Sequence, residues 1–412
     1  MGRRAVSLVM LAALLGVGCT SDRPRLAVTL VGVDGATWRV MDPLLAAGAL
    51  PRIGRLVASG VRGPLRSQMP LISPPVWTTI ATGVSRERHG IREFSSGSRL
   101  ITSRDRKVPA LWSWTSQAGL RTAVLGWWGT YPAEPIDGVM VSERALKLRE
   151  NDYGRMFRKL DEPKLVSLVH PHEALPSLID LLAAKDAGGD VAARMRAEDS
   201  AIAQSLVRLR SSEGPFALEM LLLRGVDPVS HHYWRFYEPD APVYAAWPPP
   251  SADERAQHAT AVQDHYRFVD GLLEQLAVAP SPDHVYVVVS DHGFEAGQRE
   301  FDGEPLTGMH RTEAALHGVL VMAGGPIRRG ARLDGATILD VAPTVLHLLG
   351  LPIPEELEGT VLTETLEPEW LAAHPVVKRT LATPTTAVGG GTAPDALEER
   401  LREELRALGY LE

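Results

Sequence analysis

The chain is poor in cysteine: Cys19 is the single thiol in 412 residues. A lone cysteine excludes internal disulfides, so stability must come from an apolar core. Long hydrophobic runs are also scarce. The longest near the N-terminus, residues 6–17, falls short of the ~20 residues that span a bilayer. Charge of one sign is lacking too. Lys and Arg number 43 against 50 Asp and Glu, a net charge of −7, and there is no basic stripe with interleaved aromatics. No binding of duplex nucleic acid is expected from such a surface. Internal repeats are absent. What remains, 45% hydrophobic and 23% charged residues, is the composition of a globular protein.

The N-terminus reads as a targeting segment. Arg3 and Arg4 precede the apolar run, which ends at Gly18-Cys19-Thr20. This is the layout of a bacterial lipoprotein signal peptide over residues 1–19, with Cys19 as the acylated residue. Leu15 stands one position earlier than usual for such a site, and a plain secretory peptide is the alternative. Thr20 rather than Asp follows the cysteine, so no retention signal is seen. Either way the protein is expected to be exported to the cell envelope or periplasm. Lipidation would anchor it to a bacterial membrane.

Downstream, apolar runs alternate with helical patterns. Residues 26–33, 121–128, 215–223, 285–289 and 319–323 read as strands, the first as a buried parallel one and the fourth as a central one. Residues 44–60 read as a helix broken at Pro51, and 108–119, 253–276 and 338–349 also read as helices. This order predicts an α/β fold with a mostly parallel central sheet flanked by helices. The pattern loosens over 132–213, which reads as a cap insertion in a body spanning 26–366. Residues 374–395 read as a flexible linker rich in Thr, Gly and Pro, and 396–412 as a C-terminal helix.

Three strands run into carboxylates: Asp34, Asp227 and Asp291. Ligands of open α/β sheets bind outside the carboxyl ends of the strands. Clustered carboxylates repel unless protons or cations are shared among them. Histidines accompany them. His231 lies four residues after Asp227, which places both on one helix face; His292 adjoins Asp291; and His310 follows in a loop. Three Asp and three His are a donor set for zinc, with manganese the alternative. The plain structural reading makes each Asp a helix cap. Ser73, in P-L-I-S-P-P-V-W-T-T-I-A-T-G over 70–83, likewise reads either as a helix N-cap or as a hydroxyl at an anion-binding helix terminus.

These segments, with V-G-V-D-G (31–35), H-G-I (89–91), G-V-D-P-V-S-H (225–231), V-S-D-H-G-F (289–294), T-G-M-H (307–310), V-L-V-M-A-G-G-P-I (319–327) and D-V-A-P-T-V-L-H-L-L-G-L-P (340–352), resemble the alkaline phosphatase superfamily. Within it they resemble the type I phosphodiesterase/nucleotide pyrophosphatase branch, over about residues 26–366. The resemblance implies a hydrolase of phosphate esters with two divalent metal ions. It assigns Asp34, Asp291 and His292 to the ion that activates the nucleophile, Asp227, His231 and His310 to the other, and Ser73 to the nucleophile. The implied mechanism is an in-line, two-step displacement.

Departures qualify the substrate. Phe94 stands where nucleotide-hydrolysing members carry an Asn, and no obvious Arg marks a monoesterase. Trp77 replaces the Arg of the sulfatase maturation motif, against formylglycine formation. His317 is an alternative to His310 as last ligand, while His232 and His89 read as a neighbour and a structural residue. Trp77, Trp128 and Trp234, with Trp38 and Trp127, are candidates for a substrate pocket, or else core aromatics. Phosphodiester hydrolysis of a small-molecule or lipid head-group substrate is the expected activity. Phosphomonoester, phosphonate or phospho-transfer chemistry on the same site is the near alternative, and a degenerate, non-catalytic envelope binding lipoprotein the distant one.

Overall fold

A computed structural model describes residues 26–97, 99–147, 168–183, 190–301, 304–384 and 395–407. The expected signal peptide with Cys19, much of the expected cap and linker, and the last five residues lie outside the described residues. No helix among those described is long and apolar enough to cross a membrane.

Nine strands form one sheet, in the order Ala331–Arg332, Gly60–Arg66, His317–Gly324, His284–Val289, Ala27–Val33, Leu218–Leu223, Thr122–Leu125, Gly138–Val141, Val169–His170. The five from His284–Val289 to Gly138–Val141 run parallel. His317–Gly324 runs against both of its neighbours. The mostly parallel sheet is therefore as the sequence implies. The central strands are apolar on both faces because both are covered. From Ala27–Val33, Val28 and Leu30 enter one apolar layer, while Val31 and Val33 enter the other. This is the period of two that a strand imposes.

Two helical expectations need correction. The broken helix is two separate ones, Trp38–Ala46 and Pro51–Ser59, with Pro51 at the start of the second, where its missing N–H costs nothing. Residues 253–276 likewise divide into Ala252–His258 and Ala261–Gln275. The strand Gly60–Arg66 follows directly, hidden in the sequence by two Gly, a Pro and two Arg. Its glycines are steric necessities. A Cβ at Gly60 would lie 1.9 Å from the Met322 carbonyl oxygen, and one at Gly63 1.9 Å from that of Leu333. The described parts of 132–213 add helices and strands to the body. Gly138–Val141 and Val169–His170 extend the sheet, and the helix Val191–Ser212 packs on Leu218–Leu223 and on Ala261–Gln275.

Candidate active site

Adjacent parallel strands end at Val33, Leu223 and Val289, and their carboxyl ends deliver Asp34, Asp227 and Asp291 to one place. The Asp34 N–H donates to the Leu223 carbonyl at 2.9 Å, extending the ladder by one residue. The Gly35 N–H donates to Asp291 Oδ1 at 3.1 Å. Gly35 has a φ of 71°, and a Cβ there would lie 2.8 Å from the Phe294 ring, so the turn requires glycine.

Two triads result. In each, the ligating atoms lie within 4.8 Å of one another: Asp34, Asp291 and His292 in one, Asp227, His231 and His310 in the other, all six buried. His292 joins them. Its Nε2 lies 3.2 Å from Asp291, 3.7 Å from Asp34 and 4.0 Å from Asp227, and its ring stacks on that of His310 at 3.9 Å. His231 Nδ1 donates to the Gly308 carbonyl at 2.7 Å, and His292 Nδ1 to that of Gly293 at 3.0 Å. Both Nε2 lone pairs are thereby turned inward. Burial holds His231 down to about 3 and His310 well below its ordinary value, which keeps these two imidazoles neutral. Burial, and then the neighbouring Asp291 charge, raises Asp34 well above the usual carboxylate range.

Asp291 Oδ2 and His292 Nε2 are buried, 3.2 Å apart, and have no hydrogen-bond partner. Unsatisfied buried acceptors of this kind are costly. Neutral imidazoles and carboxylates converging in this way fit divalent cations.

Ser73 opens the buried helix Ser73–Thr82, whose N-cap is Ile72 and not Ser73. The Ser73 hydroxyl donates to Asp34 Oδ1 at 3.2 Å instead of capping the helix. Pro74 and Pro75 carry no N–H, so the expected array of backbone donors at this terminus shrinks to that of Ser73 itself. Asp34 Oδ2 accepts from two indoles, Trp77 Nε1 at 3.1 Å and Trp128 Nε1 at 3.5 Å. Trp77 is wholly buried and braces Asp34 from behind, so it does not line a pocket. Trp234 is also core: its ring packs on Phe294 and its Nε1 donates to Glu238 at 3.0 Å. Trp128 does reach the cavity beside Ser73. His89 bonds Thr79 Oγ1 at 3.0 Å and is structural. His317 starts its strand exposed, outside both triads.

Three contributors escape the sequence reading. Arg224 lines the Ser73 cavity, its guanidinium over Trp128 and bonded to Glu198 at 2.9 Å. It directly precedes Gly225-Val226-Asp227, which was the available signal. Asp199 accepts the N–H groups of Arg224 and Gly225 at 2.9 and 3.1 Å, bracing the turn that presents Asp227. The helix Asp395–Ala407 brings Leu401 and Leu405 to the same cavity.

The family model for type I phosphodiesterase / nucleotide pyrophosphatase matches residues 28–344. Over 79 residues the chain is 40% identical to a 2,3-bisphosphoglycerate-independent phosphoglycerate mutase of Cereibacter sphaeroides, a match spanning 19% of this chain and 14% of that protein. A counterpart from Paracoccus denitrificans is 42% identical over 77 residues, 18% of this chain and 14% of its own length. In structure, the chain is similar to human ectonucleotide pyrophosphatase / phosphodiesterase 5, with a TM-score of 0.52 and 12% identity, covering 82% of this chain and 99% of that one. The inactive murine protein in complex with AMP gives 0.52 and 11%, covering 83% and 98%. At such identity these likenesses speak for the fold alone. With the family model spanning most of the sheet and all the segments named above but the end of the last, the chain belongs to the type I phosphodiesterase / nucleotide pyrophosphatase family of the alkaline phosphatase superfamily, a class of phosphoric-ester hydrolases.

Proposed function

We propose that this protein hydrolyses phosphodiesters of small molecules in two steps, with Ser73 as nucleophile and two divalent cations, zinc by donor chemistry, held by the two triads. The observation that carries the reading is the Ser73 hydroxyl directed at Asp34, a member of one triad, with the second triad joined through His292. Bound there, the cations would supply Lewis acidity toward the phosphoryl oxygens and offset the repulsion among the three carboxylates. Asp34, fixed by two indole donors, accepts the Ser73 proton at Oδ1 and leaves an Oγ lone pair facing the cavity. Attack forms the Oγ–phosphorus bond and releases one alcohol. Water then cleaves the Oγ–phosphorus bond of this seryl phosphodiester, regenerating Ser73 and releasing the monoester of the second alcohol.

A second reading, phosphomonoester hydrolysis, is favoured by Arg224, a lining residue of the Ser73 cavity. One panel on the zinc-loaded full chain separates the two: methyl p-nitrophenyl phosphate, p-nitrophenyl phosphate and p-nitrophenyl sulfate. Preference for the methyl diester supports the first reading, and preference for the monoester the second. Ser73→Ala is expected to lower turnover at least about 10³-fold while retaining the metals. Undiminished turnover in that variant would overturn the nucleophile assignment.

A further inference from the structure

The last helix of the chain lies against the nucleophile. Leu401 and Leu405, one turn apart on Asp395–Ala407, are each 3% exposed. They line the same cavity as Asp34, Ser73 and Asp227. With the helix seated, that cavity measures about 20 Å³, room for roughly a single water. A second cleft, of about 270 Å³, opens beside His231 and His310 and is also lined by Met69, Met309, Arg299 and Arg311. Phe94 lines both spaces. Of the two spaces beside the triads, one is therefore roomy and one nearly filled. A diester carries two organic arms on a tetrahedral phosphorus. The cleft accommodates one, and the second meets two leucines.

Glu398 makes two of the described polar contacts that hold the helix to the body. Glu398 Oε1 accepts the Leu100 N–H at 3.2 Å, and Glu398 Oε2 lies 3.8 Å from the buried Arg144 guanidinium.

We propose that Asp395–Ala407 sets specificity: Leu401 and Leu405 exclude a large second ester arm from Ser73, so the full chain selects phosphate esters with at most one large arm. Displacing the helix admits diesters with two. The proposal rests on the Ser73 reading, and its test is arranged to fail separately from it. The ratio of kcat/KM for bis-p-nitrophenyl phosphate to that for methyl p-nitrophenyl phosphate is measured for the full chain, for Leu401→Ala/Leu405→Ala, and for Glu398→Ala, which keeps both leucines but removes their anchor. The ratio is expected to rise at least about tenfold in both variants, the discrimination typical of a filled apolar pocket. A ratio within about twofold of the starting protein in both variants overturns the proposal.

Binding gives a readout independent of turnover. Diphenyl phosphate is titrated against Ser73→Ala, with and without the leucine substitutions. Tryptophan fluorescence is followed, because Trp128 lines the cavity, and Trp128→Phe serves as the blank. Tighter binding once the leucines are removed supports the proposal even if no protein turns over either ester, a result that would sink the Ser73 reading alone. Unchanged binding in proteins that do turn over both esters sinks the specificity role alone. Unchanged binding without turnover sinks both.

Discussion

Asp34 accepts three side-chain donors, the Ser73 hydroxyl on one oxygen and the indoles of Trp77 and Trp128 on the other. That pattern fixes which oxygen faces the nucleophile. Sequence reasoning found Asp34 and Ser73, because a carboxylate ending an apolar strand and a Ser-Pro-Pro helix start are local signals. It left Trp77 open between pocket and core, because the reason Trp77 points inward lies in another element. Gly32 has no side chain, and a Cβ there would lie 2.7 Å from the Trp77 ring. Only with that space open does the indole reach Asp34. Trp77→Phe keeps most of the packing and removes the donor. We expect kcat/KM to fall about 10–100-fold, as for other groups that orient a ligand. Unfolding by urea should show a loss of ~1–3 kcal/mol, because the carboxylate oxygen keeps only the long Trp128 donor. An unchanged kcat/KM would remove Trp77 from any orienting role.

At the scale of elements, the second triad depends on the hairpin Glu295–Phe301 and Glu304–Met309. The sequence reading saw a loop there, since charges, Pro305 and glycines break the alternation that marks a half-buried strand. Those glycines do the positioning. Gly308 packs against the helix Val226–Tyr237 so closely that a Cβ would lie 2.3 Å from the Ser230 carbonyl oxygen, and its own carbonyl then receives His231 Nδ1. Two residues on, His310 reaches Asp227 at 3.5 Å. His317 lies past the hairpin, at the exposed start of the next strand, paired with Arg66. His310→Ala is therefore expected to weaken metal binding at least about tenfold in equilibrium dialysis, and His317→Ala to leave it within about twofold. The reverse order would exchange their roles. The parallel core was legible from its unbroken apolar runs. The Gly-rich strand and the hairpin were not, because their identity is set by what they touch and not by their own hydrophobic pattern.

For the whole molecule, the two triads make stability a function of metal and pH together. In the metal-free protein, burial first and the Asp227 charge after it push Asp291 up to about 7. Its folded pKa thus lies above the ordinary value of 3.8, so its contribution is present below 3.8 and is lost as pH rises toward 7. Burial holds His231 down to about 3, below its ordinary 6.5, so its contribution is present above 6.5 and is lost as pH falls from there toward 3. Cations favour ionised carboxylates and neutral imidazoles alike. The Tm gap between zinc-loaded and chelated protein should widen as pH rises from about 5.5 to 7.5, with zinc at ~100 times its Kd adding ~2.7 kcal/mol. A gap that stays flat across that range would count against cations at these carboxylates. The sheet order has a further consequence, in time rather than in space. The strand Ala27–Val33 pairs on one side with Leu218–Leu223 and on the other with His284–Val289, contacts 190 and 255 residues distant for Thr29 alone. At ~5–20 residues per second, the first strand leaves the ribosome roughly 10–40 s before its nearer partner exists. Throughout that interval two bare apolar edges stand open to mispairing, so the centre of the finished protein is the most vulnerable part of the unfinished one.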